Sequence, residues 1–290
     1  MTLSTADLRR TIAGAQDLQS VVRTMKAFAA SNLGQYESAV GSLKDYSQSV
    51  ERGLGLCLRA FRGSQGLNRP GAGVRGAVVF GSDQGLVGRF NETVAQRAWE
   101  ALEKDPVRPV IWSVGDRVRG CLDDLGLPSR RCYPVPTSVQ AVGPLIGEIL
   151  YETQQKGGAG PVTELVLYSN RPLAGFAYEP ARLVLFPWEE SWAAELVARP
   201  WPPGCLPELQ GLTGDTFQSL VRECLFVGLF RACAGSLASE NAARLAAMQR
   251  AEKNIDEMLV SLQRDVQRLR QSSIDEELFD VISGAGVEPQ

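Results

Sequence analysis

The stretch Ser236–Asn254 reads SLASENAARLAAMQRAEKN. It holds no Gly, no Pro and no β-branched residue, so all of it suits an α-helix. Its alanines (Ala238, Ala242, Ala243, Ala246, Ala247 and Ala251) lie on several faces instead of one stripe. Alanine joins the highest helix propensity to a small side chain. On an inner face, small residues let two helix axes approach closely. On the outer face they keep the rod narrow. One explanation is propensity alone. The other is passage through a confined space formed by other subunits.

Downstream of this stretch, Ile255, Leu259, Leu262, Val266 and Leu269 keep a 4-3-4-3 spacing, the pattern a helix uses against another helix. No Pro falls between Pro207 and Pro289, and no Gly between Gly235 and Gly284. The pattern predicts a helix over Asp215–Ser283, about 100 Å long at 1.5 Å per residue. The spread charges, Arg244, Arg250, Lys253, Arg264, Arg268 and Arg270 among acids, read mostly as a solvated face. Leu278, Phe279, Val281 and Ile282 form an apolar tip, which calls for a socket.

The other end of the chain mirrors this. Ser4 and Asp7 form a capping-box pattern. Apolar or small residues then recur at helical spacing from Leu8 to Phe61, predicting a helix over Asp7–Phe61 of about 80 Å. Gly63–Gly73 (GSQGLNRPGAG) and Arg199–Pro207 (RPWPPGCLP) are loop-like connectors. Between them strands at Gly76–Phe80, Pro109–Val114, Thr163–Ser169 and Arg182–Phe186 alternate with helices at Glu92–Lys104, Asp116–Leu125 and Val139–Gln155. Asn91 is placed to cap the first of these helices. The expected fold is α/β: a long antiparallel coiled coil of the N- and C-terminal helices with an inserted α/β, Rossmann-like domain containing parallel strands. The expected division is a shaft of residues 1–62 and 208–290, a central domain of residues 74–198, and linkers 63–73 and 199–207. Neither long helix is stable without burying its seam.

Composition narrows the function classes. The chain has 290 residues, 44% of them hydrophobic, and a net charge of −3, which disfavours a general nucleic-acid binder. No run of about 18 apolar residues is present to span a membrane, and the start shows no secretory signal pattern. A cytosolic chain is the expectation. Histidine is absent, which removes Ser-His-Asp and Cys-His nucleophile pairs and His-ligated zinc. The six cysteines form no CxxC pair and read as reduced, packed thiols. An enzyme reading would start from GSDQGLVGRFN (Gly81–Asn91), a Gly-rich turn after a strand, since such turns can cradle phosphate at a helix N-terminus. Its spacing is not GxGxxG, and no Gly-Lys dipeptide exists for a Walker A loop. No catalytic, metal or cofactor site is expected. A coiled-coil scaffold with an α/β head is the remaining alternative, and it predicts an elongated homodimer.

The chain resembles the γ subunit of F-type ATP synthases. Ser236, Ala238, Ser239, Glu240, Ala242, Ala243, Arg244, Ala247, Met248, Ala251 and Asn254 match a family stretch of the form SxASExAARxxAMxxAxxN. Arg270, Gln271, Ile274 and the Ile282–Ala285 segment match its C-terminal signature. Thr24–Ser31 and Ser82–Asn91 are similar to its N-terminal and central elements. Departures at Asn32, Gly34 and Gln35, where the family has basic residues, and at Val87, Arg89 and Asp275 suggest a divergent branch of the sodium-linked bacterial or archaeal type. The resemblance implies a non-catalytic rotor shaft inside a ring of three α and three β subunits. Its α/β domain would sit against the ε subunit and the membrane c-ring, on the cytoplasmic face of the cell membrane. No nucleic acid, cofactor or direct membrane span is implied. The implied partner contacts are Arg23, Met25 and Lys26 on the first helix. On the second they are Arg244, Arg264, Arg268, Arg270 and Gln271, with Leu278 and Ile282 at the tip.

Overall fold

Residues 4–60, 73–103, 108–154, 162–201, 207 and 214–285 are described by a computed structural model. In chain order they form α1 (Thr5–Ala60), β1 (Val74–Phe80), α2 (Phe90–Leu102), β2 (Val110–Val114), α3 (Asp116–Asp124) and β3 (Arg131–Tyr133). There follow α4 (Val139–Gln154), β4 (Val162–Pro172), β5 (Tyr178–Phe186), α5 (Glu190–Ala198) and α6 (Gly214–Ala285). The expected linkers 63–73 and 199–207, the helix ends at Lys104 and Gln155, and Cys205 fall wholly or largely outside the described residues. The chain packs as two compact units, one of Met1–Ala29 with Leu245–Gln290, the other of Ala30–Arg244.

In the first unit the start of α1 packs antiparallel on the Leu245–Leu269 part of α6, with Gln19 hydrogen-bonded to Asp256 and Arg23 to Glu252. The capping box forms as its residue types require: Asp7 N–H donates to Ser4 Oγ at 3.2 Å, and Ser4 N–H donates back to Asp7 Oδ2 at 3.3 Å. On α1 the buried residues Leu8, Ala15 and Ala29 and the half-buried Val22 stand seven or fourteen apart. On α6 Leu245 and Met248 are buried, and Ile255, Leu259, Leu262, Val266 and Leu269 are half-buried. Both patterns are coiled-coil seams.

The second unit holds a sheet of order β3-β2-β1-β4-β5. The first four strands run parallel, and β5 is antiparallel to β4. Alternation along β1 divides the core. Ala77 and Val79 face α2 and α3, packing with Val94, Ala98, Val118 and Leu122. Val78 and Phe80 face the other way, into a cluster with Ile146 and Ile149 of α4, Tyr36 of α1, and Leu229, Cys233 and Leu237 of α6. The parts of α1 and α6 in this unit are therefore one helical layer of an α/β sandwich. β5 tolerates Pro180 because it is an edge strand. Two elements escape the sequence reading. β3 has three residues flanked by Pro128 and Pro134, too short for a periodic signal. α5 is nine residues long and abuts the Pro-rich connector. It packs Leu196 on Leu54 and Leu58 of α1, where Gly55 allows contact: a Cβ there would lie 2.6 Å from the Leu196 carbonyl oxygen.

Candidate functional site: the sheet crevice and the helix pair

In open α/β sheets a ligand binds outside the carboxyl ends of the strands, where the strand order reverses. Here that point is the end of β1, which lies between β2 and β4. The turn after β1 is held by its own groups. Asn91 Oδ1 accepts from Ser82 N–H at 2.9 Å, and Asn91 Nδ2 donates to Ser82 Oγ at 2.9 Å. Asn91 therefore does not cap α2, contrary to expectation; Arg89 holds the cap position and makes no side-chain cap bond. The stronger demand came from the buried turn, whose polar groups need partners. Asp83 accepts from Asp116 N–H at the start of α3 at 2.9 Å and from Val135 N–H at 2.8 Å. A carboxylate of the chain itself thus takes the place an anion would take at this helix N-terminus.

Residues of α6 fill the rest of the crevice. Ser239 Oγ donates to the Asn170 carbonyl oxygen on β4 at 3.0 Å, and Ala243 packs with Val87 and Phe90 of the β1 turn region. All eight residues from Ser236 to Ala243 are buried, so the helix is covered on every side at this level. The first half of the alanine-rich stretch is thin because its own α/β layers surround it. Glu240 and Arg244 are buried there as an i,i+4 ion pair of 2.6 Å, with side chains 6% and 12% exposed. Burial pushes the Glu240 carboxyl up from its ordinary range, and Arg244 works against that shift.

The first unit gathers two of the expected contact residues on one carboxylate. Arg23 Nε lies 3.0 Å from Glu252 Oε1, and Lys26 Nζ pairs with the other oxygen, Oε2. Gln19 donates to Asp256 one turn along. Glu252 falls in the seam series Leu245, Met248, Glu252, Ile255, a polar residue at an apolar position. That break is legible in sequence, but a charge among the many spread along this helix is not told from a solvated face until its partners are known. A single polar seam position of this kind fixes helix register. Hydrogen bonds from Lys26 and then Arg23 hold the Glu252 carboxyl below its ordinary value. A lowered folded pKa means that the stabilisation is present above the unfolded carboxylate value and lost as pH falls through the folded one. We expect the wild-type chain to lose stability relative to Glu252→Gln as pH is lowered from about 7 to about 3. Circular-dichroism melts of both chains check this, and a constant difference would refute it.

Met25 is half-buried. Arg264, Arg268, Arg270 and Gln271 are exposed, and Arg268 stands 3.9 Å from Asp265 as an open surface pair. Every residue from Gln271 to Ile282 is exposed, including Leu278 and Ile282, and Phe279 reaches 69%. Arg244 stands apart from these, held within the second unit by Glu240.

One unit is thus a helix pair with an exposed apolar end, and the other an α/β sandwich whose crevice is filled by its own helix. The family model described as ATP synthase matches residues 4–286, and the chain belongs to that family. Among its relatives is the ATP synthase gamma chain of Pelotomaculum thermopropionicum, 27% identical over 301 residues, covering 97% of this chain and 98% of that one. The gamma chain of Granulibacter bethesdensis is 28% identical over 292 residues, covering 96% and 97%. Solved structures share the fold. A chain of the Euglena gracilis mitochondrial ATP synthase OSCP/F1/c-ring structure aligns with a TM-score of 0.62 at 16% identity, covering 99% of this chain and 97% of that one. A chain of the Tetrahymena thermophila ATP synthase central stalk and c-ring gives 0.57 at 18% identity, covering 80% and 99%. Among the described residues no helix is long and apolar enough to cross a membrane.

Proposed function

We propose that this chain is the central rotor stalk subunit of an F-type ATP synthase, coupling ion flow through a c-ring to ATP synthesis or hydrolysis on a surrounding ring of three α and three β subunits. The observation that carries the reading is the exposed end of α6, where apolar Ile274, Leu278, Phe279, Val281 and Ile282 stand in solvent with no covering segment among the described residues. A patch of that kind needs a partner. Functionally the chain divides as shaft 1–62 with 208–290 and head 74–198. The head faces the ε subunit and c-ring at the cytoplasmic side of the membrane. Arg264, Arg268, Arg270 and Gln271 supply polar contacts to the ring, and Leu278 and Ile282 seat in an apolar bearing that holds no one angle. Arg23, Met25, Lys26 and Arg244 contribute through the faces they shape, the three cations also by fixing the helices.

The chain itself is non-catalytic in this reading. Support comes from the crevice, where Asp83 and α6 take the positions a nucleotide would need. Coupling follows from differential fit: an uneven shaft favours different states of each ring subunit in turn, and only such a difference can shift their affinities. Co-purification with subunit counting tests the reading. One copy per three α and three β subunits is expected, and a stable homodimer alone would favour the scaffold instead. Within the assembled complex, Ala247→Trp enlarges a half-buried position of the thin stretch. It is expected to lower ATP-driven ion transport by about tenfold or more while the isolated chain still folds, since a change of about 1.4 kcal/mol in a coupled state suffices. Transport at the wild-type rate would exclude a tightly confined shaft.

A further inference from the structure

Away from the crevice and the helix tip, the second unit gathers positive charge in one place. On α1, Lys44, Gln48 and Arg52 are four residues apart and share a face. Arg231 of α6 and Arg199, which follows α5, join them around a cavity of about 400 Å³. Four cations line it against one carboxylate, Glu51, in a chain whose net charge is −3. That carboxylate is already engaged. Its Oε2 accepts from Arg199 Nη1 at 2.9 Å, and its Oε1 accepts from Ser47 Oγ at 3.0 Å. Ser47 Oγ accepts in turn from Arg231 Nη2 at 3.2 Å. The network fixes two guanidinium groups and leaves each with unused donors, since an arginine carries five N–H groups.

The other two cations have no such engagement. Arg52 Nε is buried without a hydrogen-bond partner, and Lys44 makes no ion pair among the described residues. A buried donor left unpaired is costly, so its presence calls for an acceptor that belongs there. Of the other nearby acids, Glu189 lines the adjoining cavity on the Trp188 side, and Glu223 accepts from Tyr46 Oη at 2.6 Å. Lys44 and Arg52 therefore mark the anion side of the site. Planar guanidinium forks and a lysine point charge match phosphate oxygens.

We infer that this cavity is a binding site for a phosphate-type polyanion, with Arg52, Arg199 and Arg231 as oriented donors and Lys44 as the mobile charge. The inference stands apart from the rotor reading and would hold if that reading failed. The test is calorimetric titration of the full-length chain with pyrophosphate at low salt. One saturable site is expected, weakened about tenfold or more in Lys44→Gln/Arg52→Gln, with salt weakening both. Neither side chain makes an ion pair or hydrogen bond among the described residues, so the double variant should melt with the parent. Arg97→Gln, an exposed change on α2, should bind as the parent does. A second arm uses phosphatidylcholine vesicles containing phosphatidylglycerol. Sedimentation with these vesicles, lost in the double variant and without pyrophosphate binding, would identify a lipid headgroup as the phosphate source. Binding to neither probe, or equal binding by the double variant, overturns the site.

Discussion

Glu240→Ala is expected to destabilise the chain by about 3–5 kcal/mol, because it leaves a buried guanidinium without the carboxylate that pairs with it. Arg244 is 12% exposed, Glu240 is 6% exposed, and 2.6 Å separates their charged atoms. Removing one member of such a pair costs far more than the pair contributes, since the remaining charge stays desolvated. The double variant Glu240→Leu/Arg244→Met should therefore recover most of the loss. Urea unfolding of the parent, single and double variants measures this. A loss under about 1 kcal/mol in Glu240→Ala would show that Arg244 swings out to water. The pH dependence carries a second check. The folded Glu240 carboxyl is raised, chiefly by burial, so its contribution is fully present below the unfolded value and is lost as pH rises through the folded one. The parent should gain on Glu240→Gln as pH falls towards the unfolded carboxylate value of about 4.3. This is opposite in sign to the change expected at Glu252, so the two carboxylates separate the two units in one titration.

Gly115→Ala is expected to cost about 3–5 kcal/mol through two separate terms. The residue has φ +112° and ψ 131°, a conformation that a side chain strains. A Cβ there would lie 2.7 Å from the Ser82 carbonyl oxygen and 2.8 Å from the Ser82 carbonyl carbon and amide nitrogen. These neighbours are backbone and cannot rotate away. Ser82 is moreover fixed by Asn91, and its carbonyl accepts from Arg117 N–H at 3.0 Å. The comparison is Gly120→Ala on α3, where nothing lies within 4 Å of the added carbon. That change should stabilise by about 0.5–1 kcal/mol through helix propensity. Thermal and urea unfolding of both variants decide the matter. A neutral Gly115→Ala would mean that the β1 and β2 turns are free to part.

Much of the architecture was legible in sequence, and the reason is length. Over the 56 residues of α1 and the 72 of α6, seam spacing and the absence of Pro repeat a single message many times. Strands such as Gly76–Phe80 were legible because a short apolar run bounded by turns suits a parallel strand covered on both faces. β3 and α5 carry too few residues to repeat any signal. Asn91 was misread for a different reason. An Asn ahead of an apolar run is a good local cap, but a buried turn nine residues earlier competed for the same amide and took it. Glu252 was visible as a break in the seam but read as surface charge, because only its meeting with Arg23 and Lys26 from the far end of the chain shows what a carboxylate does there.

The residue order alone determined that both ends of this chain are helices, that each presents a seam, and that strands and helices alternate between them. These are local periodicities, and the 3.6-residue and 2-residue repeats of the backbone convert them directly into elements. What the alanine-rich stretch lies against was decided by the tertiary structure. Ser236–Ala243 runs across the carboxyl ends of β1 and β4, filling the crevice of a fold that elsewhere holds ligands there. Small side chains permit that approach, but a helix carries no local mark of which neighbour will come close. The partners of Glu240, Glu252 and Asp83 were set in the same way, by packing that brings together residues far apart in the chain or leaves neighbours in one helix dry.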